Sequence, residues 1–340
     1  MRLTSKFYAL TLIAISFMLF TAVVAANVLI DPQRMFGLEL FPNKRNENLR
    51  YAQYLAYRNA EPSIEGLMFA SSRGSGIPLD LLSARTGGVR YADFTVGAGM
   101  ITDHLPVLER AIRDKAARGA RLKQVFLLLD VDLLGERPST NRNPQTRLHP
   151  DLTGEDPVRF WVRYLTAIQF RAWRDDVRRA SLPKGALLDD PIVAELPMPR
   201  VRVATLGPLP LPLPKEPMRV TARPDYQRQL GLIRRFVELC RNNGINLIVA
   251  TAPLHRITLS YVDTKDLAVA VADVSRITPL WDFGGPAWLS DRHDLWADHS
   301  HFTAEVGRMM IERIATGALP PGNLPFGVRR PMADPSAAGR

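Results

Sequence analysis

Two short polar motifs, far apart in the chain, carry residue types that together can perform nucleophilic chemistry. The run "ASSRG" at 70–74 interrupts an apolar segment, and "DHSH" occupies 298–301. A serine hydroxyl is a weak nucleophile unless a neighbouring base takes its proton, and that base needs an orienting carboxylate. Ser72 is the candidate nucleophile, His301 the candidate base and Asp298 the carboxylate, because a three-residue spacing can bring a carboxylate to the second imidazole nitrogen. This pattern favours acyl transfer.

Each of these residues also has a purely structural alternative. Two serines after a strand can hydrogen-bond a turn, and Asp298 and His301 can cap a following helix, whose N-terminus favours acidic side chains. His299 competes with His301 as the base. His293 and Asp294 lie nearby in the sequence, but such ligands are bunched in one loop without the i, i+4 spacing of a helical metal site. We therefore expect no metal ion, and no cofactor.

Alternating strands and helices are predicted to position these residues. Apolar runs at 64–70, 89–96, 124–129, 245–250 and 277–283 read as strands, and segments with helical periodicity separate them. This alternation predicts an α/β fold with a parallel sheet covered by helices on both faces. Ligands of open sheets lie beyond the carboxyl ends of the strands. The residues expected to converge at that edge are Ser71, Ser72, Gly97, Asp130, Pro253, His255 and the group at 298–301.

Two segments depart from the alternating pattern. Residues 136–225 read as an insertion, with one aromatic helix predicted from Phe160 to Trp173 and a Pro-rich stretch, "LGPLPLPLPKEP", at 206–217. Alternating Leu-Pro fits neither a helix nor a central strand, so we expect an extended surface loop there. Residues 317–340 are rich in Pro, Gly and Ala, which predicts a disordered tail. The main domain is thus expected at 31–316.

The N-terminus has the pattern of a membrane anchor. Arg2 and Lys6 precede about 23 uncharged residues from Tyr8 to Ile30, enough to cross a bilayer of about 30 Å. We predict a cytoplasmic segment at 1–6 and a transmembrane signal anchor at 7–30, with the large domain outside. A cleaved signal peptide is the alternative, because small residues at 22–26 offer a cleavage site.

Composition narrows the partners. The chain has 340 residues, 46% of them hydrophobic, and a formal net charge of +10, which favours anionic lipid surfaces or acidic polysaccharides. It has no dense basic run with interleaved aromatic residues, so no nucleic-acid partner is expected. Its single cysteine, Cys240, excludes an intrachain disulfide, and its place on an apolar helical face predicts a core position.

The order of these motifs resembles the SGNH (GDSL-type) hydrolase superfamily, in particular its membrane-anchored branch of alginate O-acetyltransferase-like and D-alanine-transfer-like proteins. The resemblance covers about residues 60–316 apart from the insertion. In that family a strand ends in Gly-Asp-Ser or Gly-Ser-Ser, and the last serine is the nucleophile. Ser72 matches that serine and is followed by Arg73, as in "GSSR" variants. The C-terminal Asp-x-x-His of the family matches Asp298 and His301.

The resemblance extends to further positions and also shows where this sequence departs from the family. Gly97 matches the second-block glycine, whose backbone N–H would donate to the oxyanion, and "VATAPLH" resembles a strand-Pro-x-His segment that ends at His255. Ala70 replaces the family's leading glycine. The third-block asparagine is missing, because "LLLDVDLLG" carries Asp130 and Asp132 instead. Loss of one oxyanion donor typically costs about 100- to 1000-fold in rate, so Arg73 or a backbone N–H is expected to substitute.

The resemblance implies a flavodoxin-like, SGNH-like domain anchored in the inner (cytoplasmic) membrane by one helix, with the domain in the periplasm or outside the cell. It implies a serine acyltransferase or esterase that acts on acyl groups, acetyl above all, of an envelope or secreted polysaccharide. The expected partners are an anionic or acylated polysaccharide, a multispanning membrane acyltransferase, and membrane lipid around the anchor. The alternative is a non-catalytic scaffold or binding subunit of an envelope-polymer assembly, which the missing asparagine favours.

Overall fold

The computed structural model describes residues 2–38, 40, 48–130, 147–180, 216–320 and 325–332 of the chain. Its chain divides into two compact units. The first comprises Met1–Ala52 and Thr140–Ala194, and the second comprises Gln53–Ser139 and Glu195–Arg340. Much of the predicted insertion therefore belongs to the same unit as the N-terminal helix. Most of the Pro-rich stretch, at 206–215, and Asp132 lie outside the described residues.

The second unit is built on one six-stranded sheet. Its strands follow the order β2-β1-β3-β4-β5-β6. The first five are parallel, and β6 is antiparallel to β5. The order 2-1-3-4-5 is the flavodoxin-like doubly wound order. The strands are β1 (Gly66–Ser71), β2 (Tyr91–Val96), β3 (Gln124–Leu129), β4 (Asn246–Thr251), β5 (Leu280–Asp282) and β6 (Val328–Arg330).

Helices cover both faces of this sheet. The helices of the described residues are α1 (Arg2–Leu29), α2 (Leu49–Ala60), α3 (Leu79–Arg85), α4 (Ile101–Ala116), α5 (Pro150–Thr153), α6 (Pro157–Leu165), α7 (Phe170–Ala180), α8 (Tyr226–Asn242), α9 (Arg256–Tyr261), α10 (Thr264–Ser275) and α11 (Ala304–Thr316). In the second unit α4 packs against α8, and α3 packs against α11. The predicted α/β class with a mostly parallel sheet is confirmed.

Alternate residues of β1 show how the core forms on the two faces. Every residue of β1 and β3 is buried, which explains why both strands read as continuous apolar runs. Phe69 stacks near Phe94 and meets the Phe236 ring of α8 edge-on, each with ring centroids 5.5 Å apart. Met68 points the other way, into a buried cluster with Phe302 and Met310 on the side of α11.

The sheet also contains a strand that the sequence did not predict. Residues 317–340 were predicted to be a disordered tail, whereas 328–330 form β6 beside β5. A three-residue strand is too short for its alternation to stand out against Pro and Gly. Its place is set by tertiary contacts: Arg330 pairs with Asp282 at 3.0 Å, and the Phe326 and Phe283 rings lie 4.8 Å apart.

The first unit contains the predicted anchor and two amphipathic helices. Within α1, Lys6–Leu29 has a mean hydropathy of 2.4 over its most apolar window and is long and apolar enough to cross a membrane. The single helix predicted from Phe160 to Trp173 is wrong, because α6 ends at Leu165 and α7 begins at Phe170. The helix breaks because the carbonyls of Leu165 and Ala167 bond to the side chain of Asn27 in α1 instead.

Candidate active site

The end of β1 divides two roles between its adjacent serines. Ser71 is the last residue of the strand, and its Oγ accepts a hydrogen bond from the Arg73 backbone N–H at 3.3 Å, which caps a short 3₁₀ helix over Ser72–Gly76. Ser72 Oγ instead lies 2.9 Å from His301 Nε2. The turn-forming alternative therefore holds for Ser71, while Ser72 is free to meet a base.

His301 and Asp298 complete a continuous chain of hydrogen bonds. Asp298 Oδ2 lies 2.7 Å from His301 Nδ1. Asp298 Oδ1 accepts the backbone N–H groups of Ser300 at 2.7 Å and of His301 at 2.9 Å. The N-cap of α11 is Thr303, so Asp298 orders its own loop rather than the helix. The structure brings together the three residues predicted as a triad, and it selects His301 over His299.

The hydrogen bonds around Asp298 keep it ionised. Partial burial by itself would raise the pKa of Asp298, but the His301 ring bond, the His301 charge and the two backbone N–H groups lower that pKa to about 2. When the His301 imidazole is neutral, the ionised carboxylate keeps its single ring proton on Nδ1. His301 Nε2 is then the acceptor that faces the Ser72 hydroxyl, which is the tautomer that a general base requires.

Buried aromatic residues hold the loop that carries Asp298 and His301. Trp296 and Phe302 flank the loop, pair as an isolated β-bridge, and are both fully buried. The Trp296 indole donates to the Leu289 carbonyl at 2.8 Å, and the Ala297 N–H donates to the His301 carbonyl at 2.8 Å. The loop is thus fixed at both ends, and its polar residues are held at the surface of the core.

Close backbone contacts bring this loop to the Ser72 turn. A side chain on Gly307 would place its Cβ 1.9 Å from the Gly76 carbonyl oxygen, and one on Gly76 would meet the Phe302 carbonyl at 2.6 Å. Only glycine permits such an approach. Neither glycine was predicted from the sequence to be part of the site. Their signal was present only as small residues beside the motifs, since nothing local marks a contact between distant segments.

Strand register places the predicted oxyanion residues beside Ser72. Ser71 is paired with Val96, so Gly97 directly follows β2 at the level of Ser72. Asp130 directly follows β3, and the Ser71 hydroxyl donates to its Oδ2. The Asp130 and Arg73 side chains are both buried. The carboxylate that replaces the expected asparagine is therefore bonded to the serine next to the candidate nucleophile.

His255 lies behind the His301 loop. Its side chain is fully buried, its Nδ1 accepts the Ile257 N–H at 3.2 Å as the cap of α9, and its ring meets the Trp296 ring at 5.2 Å. Burial, with His293 and His299 nearby, lowers the pKa of His255 to about 4. His255 is therefore neutral at neutral pH, and its observed contacts make it a support for the loop.

The remaining candidates do not join the triad. Asp294, considered as a metal ligand beside His293, pairs with Arg292 at 2.7 Å. Within the described ranges, no group of three or more His, Cys, Asp or Glu side chains is arranged to hold a metal ion. One cavity of the second unit is lined by residues such as Gln124 and Asn246. These residues begin β3 and β4, so that cavity lies at the opposite edge of the sheet.

Comparison of the chain with known protein families found no matching family, and comparison with curated proteins found no match. The chemistry of the site must therefore be argued from its own geometry.

Proposed function

We propose that the second unit is an SGNH-like serine enzyme that transfers or hydrolyses acyl groups. One observation carries the proposal: Ser72 Oγ, His301 and Asp298 form an unbroken hydrogen-bond chain, with distances of 2.9 and 2.7 Å. Both distances are within the reach of about 2.6–3.2 Å that direct proton transfer requires. These three residues lie at the carboxyl edge of a parallel sheet, where ligands of doubly wound folds bind.

The proposed reaction has two half-steps. Ser72 Oγ attacks the carbonyl carbon of an ester while its proton passes to His301 Nε2. The tetrahedral intermediate collapses, and the leaving alcohol takes that proton, which leaves an acyl group on Ser72. His301 then takes a proton from water or from a sugar hydroxyl, whose oxygen attacks the carbonyl carbon of the acyl-enzyme. The second tetrahedral intermediate collapses, the acyl group leaves on the attacking oxygen, and His301 returns the proton to Ser72 Oγ. Water gives an esterase, and a sugar hydroxyl gives a transferase.

Backbone and cationic donors would stabilise the oxyanion in the absence of the asparagine. Gly97 follows β2 beside Ser72 by register, so its N–H is one candidate donor, and the buried Arg73 is another. Asp130 is negatively charged when ionised, but its Oδ2 already accepts the Ser71 hydroxyl. The proposal assigns Asp130 to ordering the turn rather than to the oxyanion.

The proposed setting is the outer side of the cytoplasmic membrane. Arg2 and Lys6 precede the apolar part of α1, which favours a cytoplasmic N-terminus and a signal anchor. A formal net charge of +10 suits an anionic polymer. The proposed substrate class is an acylated, above all acetylated, envelope or secreted polysaccharide, with a multispanning membrane acyltransferase as a candidate source of acyl groups.

Ester turnover by the full-length protein tests the enzyme proposal. The substrates are an activated acetyl ester and an acetylated anionic polysaccharide. Removing either triad partner in Ser72→Ala or His301→Ala should lower kcat by at least about 1000-fold, because the residues act as a unit. Ser260→Ala, which changes an exposed serine of α9, is the matched control and should keep the wild-type rate. A folded wild type without turnover of either ester, or equal rates in all variants, contradicts the proposal.

A scaffold role is the second candidate, and the aspartate in place of the asparagine favours it. A scaffold would bind the polysaccharide without turning over its esters. Polymer binding is therefore measured beside turnover. The scaffold role is supported if folded wild type binds the polysaccharide without turning over its esters and the Ser72→Ala variant binds it equally well.

A further inference from the structure

The first unit exposes apolar side chains at the corner between α6 and α7. We define the α6–α7 corner as residues 166–170. Ile168 is 75% exposed and Phe170 is 73% exposed. On the two helices that meet there, Val158, Val162 and Val177 are exposed as well. Side chains this large are rarely left in water side by side on one small element, so the corner indicates a contact surface.

The corner is fastened to the end of the apolar helix by one fully buried side chain. Asn27 of α1 donates from its amide nitrogen to the Leu165 and Ala167 carbonyls, both at 2.8 Å. Its Oδ1 accepts the Gln169 side-chain amide and the Trp173 indole N–H, both at 3.0 Å. All four hydrogen-bonding positions of the asparagine amide are therefore used, which fixes the corner at the level of residue 27.

The segment that follows α1 strengthens this attachment. The Gln33 side chain donates to Gln169 at 3.0 Å, and the Tyr164 hydroxyl donates to Asp31 at 3.4 Å. Asp31, Gln33 and Tyr164 are all buried. The corner and the last turns of α1 thus form one packed body within the first unit, and they cannot change depth independently.

The level of residue 27 sets the depth of the corner in a bilayer. Asn27 precedes the end of α1, at Leu29, by two residues, which is about 3 Å at 1.5 Å per residue. If α1 spans the membrane, the corner lies at the boundary between acyl chains and headgroups. Ile168 and Phe170 at that depth would bury their apolar surface in lipid, as the apolar face of an interfacial helix does.

Charge on the same two helices fits a lipid surface with anionic headgroups. Arginine side chains can lie along apolar surface and extend their guanidinium groups to phosphates. Arg163 and Arg174 share their charge with Glu155 and Asp175, at 2.7 and 2.8 Å. Among the side chains that the structure describes on α6 and α7, the exposed arginines are Arg159, Arg163, Arg171, Arg174 and Arg178.

We propose that the α6–α7 corner is a second membrane-binding element, which inserts Ile168 and Phe170 into the leaflet where α1 ends. The proposal rests on the membrane anchoring proposed above and not on the acyl-transfer activity. Lipid is the occupant because the corner is bonded to the end of α1 through Asn27, and the most apolar window of α1 is not buried at all by protein. The corner would hold the first unit against the bilayer instead of leaving it on a flexible tether.

Site-directed fluorescence in lipid nanodiscs tests this proposal on the full-length protein. Ile168→Cys and Phe170→Cys each receive a small environment-sensitive fluorophore, with one protein per disc and anionic lipid present. Leu19→Cys, 64% exposed in the middle of α1, is the lipid control, and Val269→Cys, 52% exposed on α10, is the aqueous control. The native Cys240 is 1% exposed, so labelled wild type gives the background.

Labels at 168 and 170 should be quenched by brominated lipid almost as strongly as the label at 19, and should be protected from aqueous iodide. The label at 269 should show the reverse. Asn27→Ala, which removes all four hydrogen bonds of this side chain to the corner and the adjoining helices, should weaken lipid quenching at 168 and 170 without affecting position 19.

Each alternative outcome is distinct. Lipid quenching at 19 with iodide quenching at 168 and 170 overturns the corner proposal and leaves the anchor intact. Iodide quenching at 19 overturns the anchor itself, and the corner proposal with it. Labels at 168 and 170 that are protected from both quenchers are covered by protein, which also overturns lipid as the occupant.

Discussion

At the scale of single residues, the site depends on which of two adjacent serines meets the histidine. Ser71 donates to the buried Asp130 and caps the following turn, whereas Ser72 lies 2.9 Å from His301. One serine therefore stabilises the turn, and the other faces the histidine. A single change at each position should separate stability from activity.

Ser71→Ala should lower the free energy of unfolding by about 1–3 kcal/mol, because a buried carboxylate loses a hydrogen-bond donor. Ser72→Ala should change the same quantity by less than about 0.5 kcal/mol, as partly exposed positions usually do, although it should lower turnover by at least about 1000-fold. Urea denaturation of both variants beside wild type measures the difference. Equal losses of stability would show that the two serines do not have separate roles.

The buried His255 should make stability depend on pH. Its pKa in the folded protein is about 4, and in the unfolded chain it is about 6.5. The unfolded state therefore binds more protons between these values, so the stability of wild type should fall as the pH drops from 6.5 towards 4.

His255→Leu removes this titration, so the stability gap between wild type and variant should narrow over the same pH range. Denaturant unfolding at several pH values measures the gap. His293→Leu, at an exposed neighbour, is the matched control and should leave most of the wild-type pH dependence. A gap that stays constant from pH 6.5 to 4 would show that His255 is not kept neutral by burial.

At the scale of secondary-structure elements, the site depends on how closely α11 approaches the turn after β1. The loop carrying His301 leads directly into α11, and Gly307 lies against the Gly76 carbonyl. The triad distance is therefore set by backbone packing between two segments at opposite ends of the second unit. The two polar motifs alone do not determine it.

Gly307→Ala should lower both stability and turnover, because its new Cβ would lie 1.9 Å from the Gly76 oxygen and force α11 away from the turn. We expect a loss of about 1–3 kcal/mol, as for other overpacked positions, and at least about a 100-fold loss of kcat, since small displacements of catalytic groups are costly. Thermal unfolding and ester turnover measure the two effects.

Gly231→Ala in α8 is the control, because nothing lies within 4 Å of its added Cβ. This change should stabilise the protein by about 0.5–1 kcal/mol through helix propensity and leave turnover unchanged. Full activity of Gly307→Ala would show that the close approach does not position the triad.

At the scale of the whole molecule, α1 and the charges around it bear on where the chain is located. The helix is long and apolar enough to span a membrane, and the basic residues before it favour a cytoplasmic N-terminus. A substrate on the outer side of the membrane is reachable only if the second unit lies on that side.

A topology reporter tests this arrangement. Alkaline phosphatase fused after Arg340 should be active in cells, because this reporter folds only outside the cytoplasm. Green fluorescent protein fused at the same position should not fluoresce if the general secretory route exports it. A fusion that removes residues 1–30 is the control, and its phosphatase should be inactive. If the full-length fusion to green fluorescent protein is fluorescent and the full-length fusion to phosphatase is inactive, the second unit lies in the cytoplasm.

Much of this organisation is readable from the amino-acid sequence, because it depends on local patterns. Alternating apolar runs and helical periodicities predict the α/β class, and the uncharged N-terminal stretch predicts α1. The types of residue at 70–74 and 298–301 predict the chemistry of the candidate site. These features follow from side-chain burial and backbone preference within one short segment.

Only the tertiary structure decides which of these residues meet. It brings Ser72 to His301 rather than to the competing His299, it bonds Asp130 to Ser71, and it adds β6 from residues that read as a tail. It also breaks one predicted helix into α6 and α7, because Asn27 takes the carbonyls at the break. Hydrogen bonds require placement within a few tenths of an ångström, and that placement comes from the packing of segments that are distant in the sequence.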